Sequence, residues 1–339
     1  MAQRMYRMIK DVDPNASITI ATCENQVPQI KSQLGEDVQI SVEPERRDTF
    51  PAIALAVCFL HQTGVNENEN VIVCPADPYA DSDYYECLKK IFDEADKANI
   101  TLMGIKPEHP SEKFGYIFPE TASEISPVKE FKEKPDKKTA EEYILNGGLW
   151  NGGVFAFKIS YLLNIVKKSI GTADYDEVYR RYSELEKISF DYGVVEKEKS
   201  INVVRFSGRW SDLGTWNMLT SVMEDETGGN AAAYECENTH VTNELKMPLI
   251  ALGLKNCIVA ATPDGILVSD KDTSPRLKNY VKDSRPMYER RNWGDYRVVY
   301  SQSHPNGVNS LVKELVIDAG HHISYQRHLH RTEIWTFTQ

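Results

Sequence analysis

From residue 17 onward the apolar positions fall into short blocks whose spacing alternates between two periods. "SITIATC" carries β-branched residues at strand spacing, "QVPQIKSQLG" reads as a short helix closed by Gly35, and "DVQISVEP" reads as a strand again. "FPAIALAVCFLHQTG" is predicted to be a helix, with Pro51 suited to its first turn and Gly64 to its end. "NVIVCPAD" then reads as a fully apolar strand, "SDYYECLKKIFDEADKAN" as an amphipathic helix and "ITLMGIKP" as a further strand. Strands alternating with helices predict an α/β fold built on a doubly wound, mostly parallel sheet covered on both faces. Beyond residue 222 the texture changes. "AAAYECENTHV", "LIALGLKNCIVAATPDGILVSD" and "RVVYSQS" are short strands separated by Gly, Asn, Asp and Pro, which predicts an all-β region. The expected division is 1–222, 223–285 and 286–339.

In open α/β sheets ligands bind beyond the carboxyl ends of the strands, so the residues just after each strand matter most. That rule selects Asp77, which ends "VIVCPA" and precedes Pro78; a plain turn-forming Asp is the competing reading. It also draws attention to Asp212 in "SGRWSDLGTW", a carboxylate between two tryptophans and two glycines, which is solvated, paired or bound to a metal ion. Glu133 and Lys134 follow a strand-like run and precede Pro135; a lone lysine there is equally read as solvated. Thr139 and Glu142 have capping-box spacing for a helix that Gly147 can end. In the closing "DAGHHISYQRHLHRTEIWTF", His328 and His330 alternate on one face of a predicted strand, with Glu333 three residues later. That set is either a partial metal site or a solvated basic edge.

Composition narrows the chemistry. A net charge of −11 over 339 residues excludes a long nucleic-acid track, which needs a basic surface, but leaves room for a small phosphorylated ligand held by a lysine and a divalent cation. The six cysteines are scattered without a CxxC and mostly sit in apolar runs, so they are expected to be reduced and buried. No run approaches a membrane span and the start has no apolar signal core; a cytoplasmic protein without membrane contact is expected.

Seven stretches in order, "EPERRDTFPAIALA", "VIVCPAD", "FGYI", "FKEKPD", "GGLWNGGVFAF", "DYGVVEK" and "GRWSDLGTW", resemble the bacterial mannose-1-phosphate guanylyltransferases of the sugar-nucleotidyltransferase fold. The resemblance covers about residues 5 to 285, and the closing stretch looks like the opening strands of a phosphomannose-isomerase-like cupin. It implies nucleotidyl transfer from GTP to mannose 1-phosphate, giving GDP-mannose and pyrophosphate with Mg2+ as cofactor. It implies Asp77 and Asp212 as metal ligands and Lys134 on the sugar phosphate. Gly115, Tyr116, Glu133 and Asn151 would line the sugar pocket, with Arg47, Thr49, Ala76 and Asp77 on the nucleotide. His328, His330 and Glu333 would be part of a cupin metal site, and a homo-oligomer is expected.

This chain departs from the family pattern in several places. Asp48 stands where the base-recognition turn has Asn, with Arg46 before it and Phe50 after it, and Pro78 stands where "PAD" is often followed by His. The family's first strand and glycine-rich triphosphate loop are not found ahead of Met1, and the cupin stretch stops at Gln339. The expectation from the resemblance is therefore a chain incomplete at both ends and a poor or inactive nucleotidyltransferase. Two other readings stay open: a glycosyltransferase using Asp81 and Asp83 as an Asp-x-Asp motif, although these residues also suit a helix start, and a non-catalytic partner subunit.

Overall fold

The computed structural model describes residues 1–281, 286–305 and 307–338. It divides into two compact units, Met1–Leu213 and Gly214–Gln339. The expected boundary at residue 285 lies outside the described residues.

The first unit runs α1 (Ala2–Val12), β1 (Thr19–Cys23), α2 (Val27–Leu34), β2 (Gln39–Glu43), α3 (Thr49–Gln62), β3 (Asn70–Val73), β4 (Pro78–Ala80), α4 (Ser82–Asp93) and β5 (Ile100–Ile105). It continues through the hairpin β6 (Tyr116–Pro119) and β7 (Ile125–Lys132), then α5 (Lys137–Leu145), β8 (Leu149–Lys158), α6 (Ile159–Ile170), α7 (Tyr175–Arg180), α8 (Phe190–Gly193), β9 (Ile201–Phe206) and β10 (Trp210–Asp212). Its main sheet has the order β3-β8-β5-β9-β7-β6, while β1 and β2 form a separate parallel pair. The α/β class stands, but strand directions in the main sheet are mixed rather than mostly parallel. Only β5 and β9 run together, because the β6–β7 hairpin and the long β8 run against their neighbours.

Alternation along the central strands gives each face its own core. Leu102, Phe155, Phe157 and Val203 pack with Leu55 of α3, Leu162 of α6 and Phe190 of α8. Met103, Val154, Ala156 and Val204 point the other way and pack with Tyr84, Leu88 and Ile91 of α4. Of the strands predicted from the sequence, β3 and β5 are thus sandwiched as expected while β1 and β2 join neither core, each fully buried aliphatic or aromatic side chain contributing about 1.5–3 kcal/mol.

Local signals needed two corrections. β3 ends at Val73, and Pro78 opens a second short strand instead of merely stopping the first. The cap of α5 is Asp136, whose carboxylate accepts from the Thr139 N–H at 3.0 Å; Thr139 itself lies inside the helix. Asp81 is the N-cap position of α4, without a side-chain capping bond, and Asp83 lies in its first turn, so the Asp-x-Asp residues sit at a helix start.

The second unit contains α9 (Trp216–Val222), β11 (Thr227–Gly229), β12 (Ala231–Tyr234), β13 (His240–Asn243), β14 (Leu249–Leu252), β15 (Cys257–Thr262), β16 (Gly265–Asp270), β17 (Tyr288–Arg291), β18 (Gly294–Ser303) and β19 (Asn309–Ile317). The expected β-rich character is present, with a feature the strand pattern did not reveal. β11, β13 and β15 stack in parallel, as do β12 and β14, so successive turns of chain pile up as rungs. Residues 321–338 form no strand among the described residues, contrary to the expected strand through His328 and His330. No helix among the described residues is long and apolar enough to cross a membrane.

Candidate functional site

Beyond the end of β3, ahead of β6 and over the first residues of β8, the first unit has an open basin. One wall arises from the pairing of β4 with β10. These strands run antiparallel with Asp212 opposite Pro78, which sets Asp212 beside Asp77 despite their separation in sequence. Both carboxylates line the basin together with Pro75, Lys113, Phe114 and Trp210. Among the described residues no group of three or more His, Cys, Asp or Glu side chains could hold a metal ion, so a cation here would depend on ligand oxygens to complete its shell.

Another part of the lining is built on β7 and β8. Glu133 follows β7 directly, and Gly115 faces it from the start of the β6 hairpin; a Cβ at Gly115 would run into the Glu133 carboxylate and lie 2.9 Å from the Phe131 ring. Glycine is therefore what lets this acid fold inward. The Glu133 side chain is only 4% exposed, its Oε1 pairs with Lys134 Nζ at 2.6 Å, and its buried Oε2 has no hydrogen-bond partner. Burial raises the Glu133 carboxyl above its usual range, against the pull of the Lys134 hydrogen bond. For Lys134 burial acts to lower the value, but the hydrogen bond to Glu133 and the nearby Glu133 and Asp191 charges outweigh it and hold the ammonium above its ordinary range. Lys134 has a left-handed backbone, φ 43°, a conformation that costs a non-glycine residue roughly 1–2 kcal/mol and collects at functional sites.

Asn151 is the third residue of β8 and is buried. Its N–H donates to Gly115 O at 2.8 Å, its Oδ1 accepts from the Gly153 N–H at 3.1 Å, and its Nδ2 donates to Asp191 Oδ1 at 2.6 Å. Asp191, in the short α8, belongs to the stretch "DYGVVEK" but carries no signal of its own in the sequence. The Ser189 side chain caps that turn by accepting from the Tyr192 N–H, which holds Asp191 toward the basin. Burial raises its carboxyl, more than its own backbone N–H, the Asn151 hydrogen bond and Lys134 lower it.

Other expected site residues lie elsewhere. Tyr116 is fully buried, and its hydroxyl is occupied by Ser111 N and O and by Trp150 Nε1, so it supports the basin from within the core and does not line it. Ala76 is exposed on the turn before Asp77. Arg47 donates through Nε and Nη2 to Leu185 O at 3.2 and 3.0 Å, and Thr49 Oγ1 accepts from the Phe190 N–H at 2.8 Å. These two residues therefore fasten the chain that leads into α8 and are not among the basin's lining residues. In the second unit His328 Nε2 lies 3.1 Å from Glu333 Oε1, and Arg331 holds the same carboxylate at 2.9 Å.

The basin thus presents four carboxylates, Asp77, Glu133, Asp191 and Asp212, with Lys113 on its lining and Lys134 alongside. Such a site suits a ligand that brings hydroxyl donors to one side and phosphates with a divalent cation to the other.

Comparison with known proteins gives this geometry a context. The profile of the nucleotidyl transferase family matches residues 5–228. Mannose-1-phosphate guanylyltransferase RfbM of Salmonella typhimurium is 30% identical, with 87% of this chain and 68% of the relative aligned. Alginate biosynthesis protein AlgA of Pseudomonas aeruginosa is 29% identical over 91% of this chain and 70% of its own length. Among solved structures, one described as a mannose-1-phosphate geranyltransferase from Thermus thermophilus superposes with a TM-score of 0.70 at 25% identity, covering 82% of this chain and 87% of that one.

Proposed function

The chain belongs to the nucleotidyl transferase family, among the mannose-1-phosphate guanylyltransferases, and we propose that it makes GDP-mannose from GTP and mannose 1-phosphate. In this reaction a phosphate oxygen of mannose 1-phosphate attacks the α-phosphorus of GTP. A new P–O bond forms, the bond from the α-phosphorus to the bridging oxygen breaks, and pyrophosphate leaves with that electron pair. Positioning and charge neutralisation supply most of the rate in phosphoryl chemistry of this kind.

The observation that carries the reading is the division of one basin into two chemically different sides. Glu133 and Asn151 offer buried, directional hydrogen-bond partners suited to sugar hydroxyls, with Lys134 beside them as a point charge for the sugar phosphate. In the same basin, Asp77 and Asp212 are brought together by the β4–β10 pairing. Hard, oxygen-only donors of this kind fit Mg2+, which keeps several water or phosphate ligands and needs only one or two carboxylates. When bound there, Mg2+ would neutralise charge on the triphosphate. Incubating the chain with GTP, mannose 1-phosphate and magnesium should yield GDP-mannose and pyrophosphate in equal amounts. Preference for ATP or UTP, or for glucose 1-phosphate over the mannose compound, would overturn the assignment of the substrates.

A further inference from the structure

Sugar hydroxyls are told apart by which acceptors are fixed around them, and in this basin the arrangement turns on Asp191. An Asn amide carries an acceptor and a donor of nearly the same shape, so its orientation has to be set by its neighbours. At Asn151 both ends are set. A carboxylate can only accept, so Asp191 Oδ1 at 2.6 Å fixes Nδ2, and the Gly153 N–H at 3.1 Å fixes Oδ1. That leaves Asn151 one N–H to offer. It also leaves Asp191 its second oxygen, which makes no hydrogen bond to another described residue, although the side chain borders the basin.

We infer that Asp191 is a specificity-determining residue of the sugar side: one oxygen orients the Asn151 amide, and the other accepts a hydrogen bond from a single hydroxyl of the sugar ring. The Glu133 Oε2, buried without a partner, is a second waiting acceptor in the same basin. Two acids presented together would repel a phosphate but match a ring that carries several O–H donors. The sugar ring therefore lies against Glu133, Asn151 and Asp191, with its phosphate taken by the Lys134 ammonium beside Glu133.

Asp191 is also held from behind. Phe50 N donates to Ile188 O at 3.1 Å, Phe190 N donates to Thr49 Oγ1 at 2.8 Å, and Arg47 donates twice to Leu185 O. Arg47 and the first two residues of α3 thus clasp the turn that carries Asp191 from both sides of Ile188. A side chain on a four-residue helix gains through this clasp the rigidity that discrimination between hydroxyls requires.

The inference rests on the proposed sugar 1-phosphate reading, and its test separates the two. Calorimetric titration of the full chain would use mannose 1-phosphate and its 2-, 3-, 4- and 6-deoxy analogues, with GTP titrated separately, in wild type and Asp191→Asn. The amide in Asp191→Asn can still accept from Asn151 but turns a donor toward the ligand. It also removes a buried charge, so folding should be kept, and circular dichroism checks this. Wild type should bind one deoxy analogue ~10–100-fold more weakly than mannose 1-phosphate, the worth of a hydrogen bond to a charged acceptor. Asp191→Asn should bind mannose 1-phosphate weaker by a similar factor and lose discrimination against that analogue alone, with GTP affinity unchanged. Parallel losses for GTP and sugar phosphate, or a deoxy series unaltered by the substitution, would overturn the role of Asp191. Failure of wild type to bind mannose 1-phosphate while binding another hexose 1-phosphate would instead overturn the substrate reading, and the same deoxy comparison on that sugar would then decide Asp191. An Asp191→Glu variant adds a second readout, because it retains the charge but displaces both oxygens, so discrimination should fall in it as well.

Discussion

Lys134 combines a left-handed backbone with an ammonium that touches Glu133, and neither feature helps the fold by itself. Its half-exposed side chain leaves the pair little net stabilising value, which points to a role toward ligand. Lys134→Met keeps the stem and removes the charge, and should weaken mannose 1-phosphate binding ~10–100-fold with GTP binding little changed, the worth of one charge-assisted hydrogen bond. Equal loss of both ligands in a titration would count against that role. Glu133 gives a prediction in pH. Its folded carboxyl is raised by burial, so its contribution to stability is fully present below its unfolded value of about 4.3 and is lost as pH rises through the raised value. Glu133→Gln does not titrate. Its melting temperature relative to wild type should therefore climb between pH 4 and pH 7, and a flat difference across that range would show that the carboxylate is not penalised in the folded protein. At this scale the sequence was informative where an acid follows a strand, as with Asp77 and Glu133. It was silent on Asp191, because a four-residue helix leaves no periodicity, and it placed Tyr116 at the site although the hydroxyl is consumed by Ser111 and Trp150.

Among the elements, the alternation of strand and helix through residue 107 was most legible where burial is deep, as in β5, buried along its whole length, and in α3 and α4 with their buried apolar residues. Strand direction was not legible, since an apolar run carries no sign of which neighbour it joins. The stacked rungs of the second unit were hidden for a related reason: four of the five strands are three or four residues long and β15 is six, too short for a periodic pattern. Their mark lies in the corners. Ala231 stands opposite Leu249 and Val241 opposite Val259 at one constant offset, and Asn238 and Asn256, both with positive φ, sit at matching corners. Asn238 Nδ2 donates to Asn256 Oδ1 at 2.8 Å, and Asn256 Nδ2 donates to Asp270 Oδ2 at 2.8 Å and Asp272 Oδ2 at 3.2 Å. Asn256→Ala loses these bonds and keeps the left-handed backbone, so it should destabilise the second unit by about 2–3 kcal/mol in denaturant unfolding. Asn256→Gly should recover part of that loss by relieving the backbone. An alanine variant as stable as wild type would mean that the corner ladder contributes nothing.

For the molecule as a whole, an acidic chain with four carboxylates around one basin is poorly suited to bind a triphosphate unless a cation comes with it. The sequence predicted both carboxylates that the β4–β10 pairing brings together, but not the pairing, because strands of three residues leave no trace in a hydropathy pattern. The central claim is that this pair is where the nucleotide's cation is held. The most direct measurement is calorimetric titration of GTP into the protein with and without magnesium, for wild type, Asp77→Asn and Asp212→Asn. GTP should bind wild type at least tenfold more tightly with magnesium, equivalent to about 1.4 kcal/mol, and each substitution should abolish that gain while mannose 1-phosphate affinity is retained. A magnesium effect of the same size in both variants, or GTP binding indifferent to magnesium in wild type, would contradict the account.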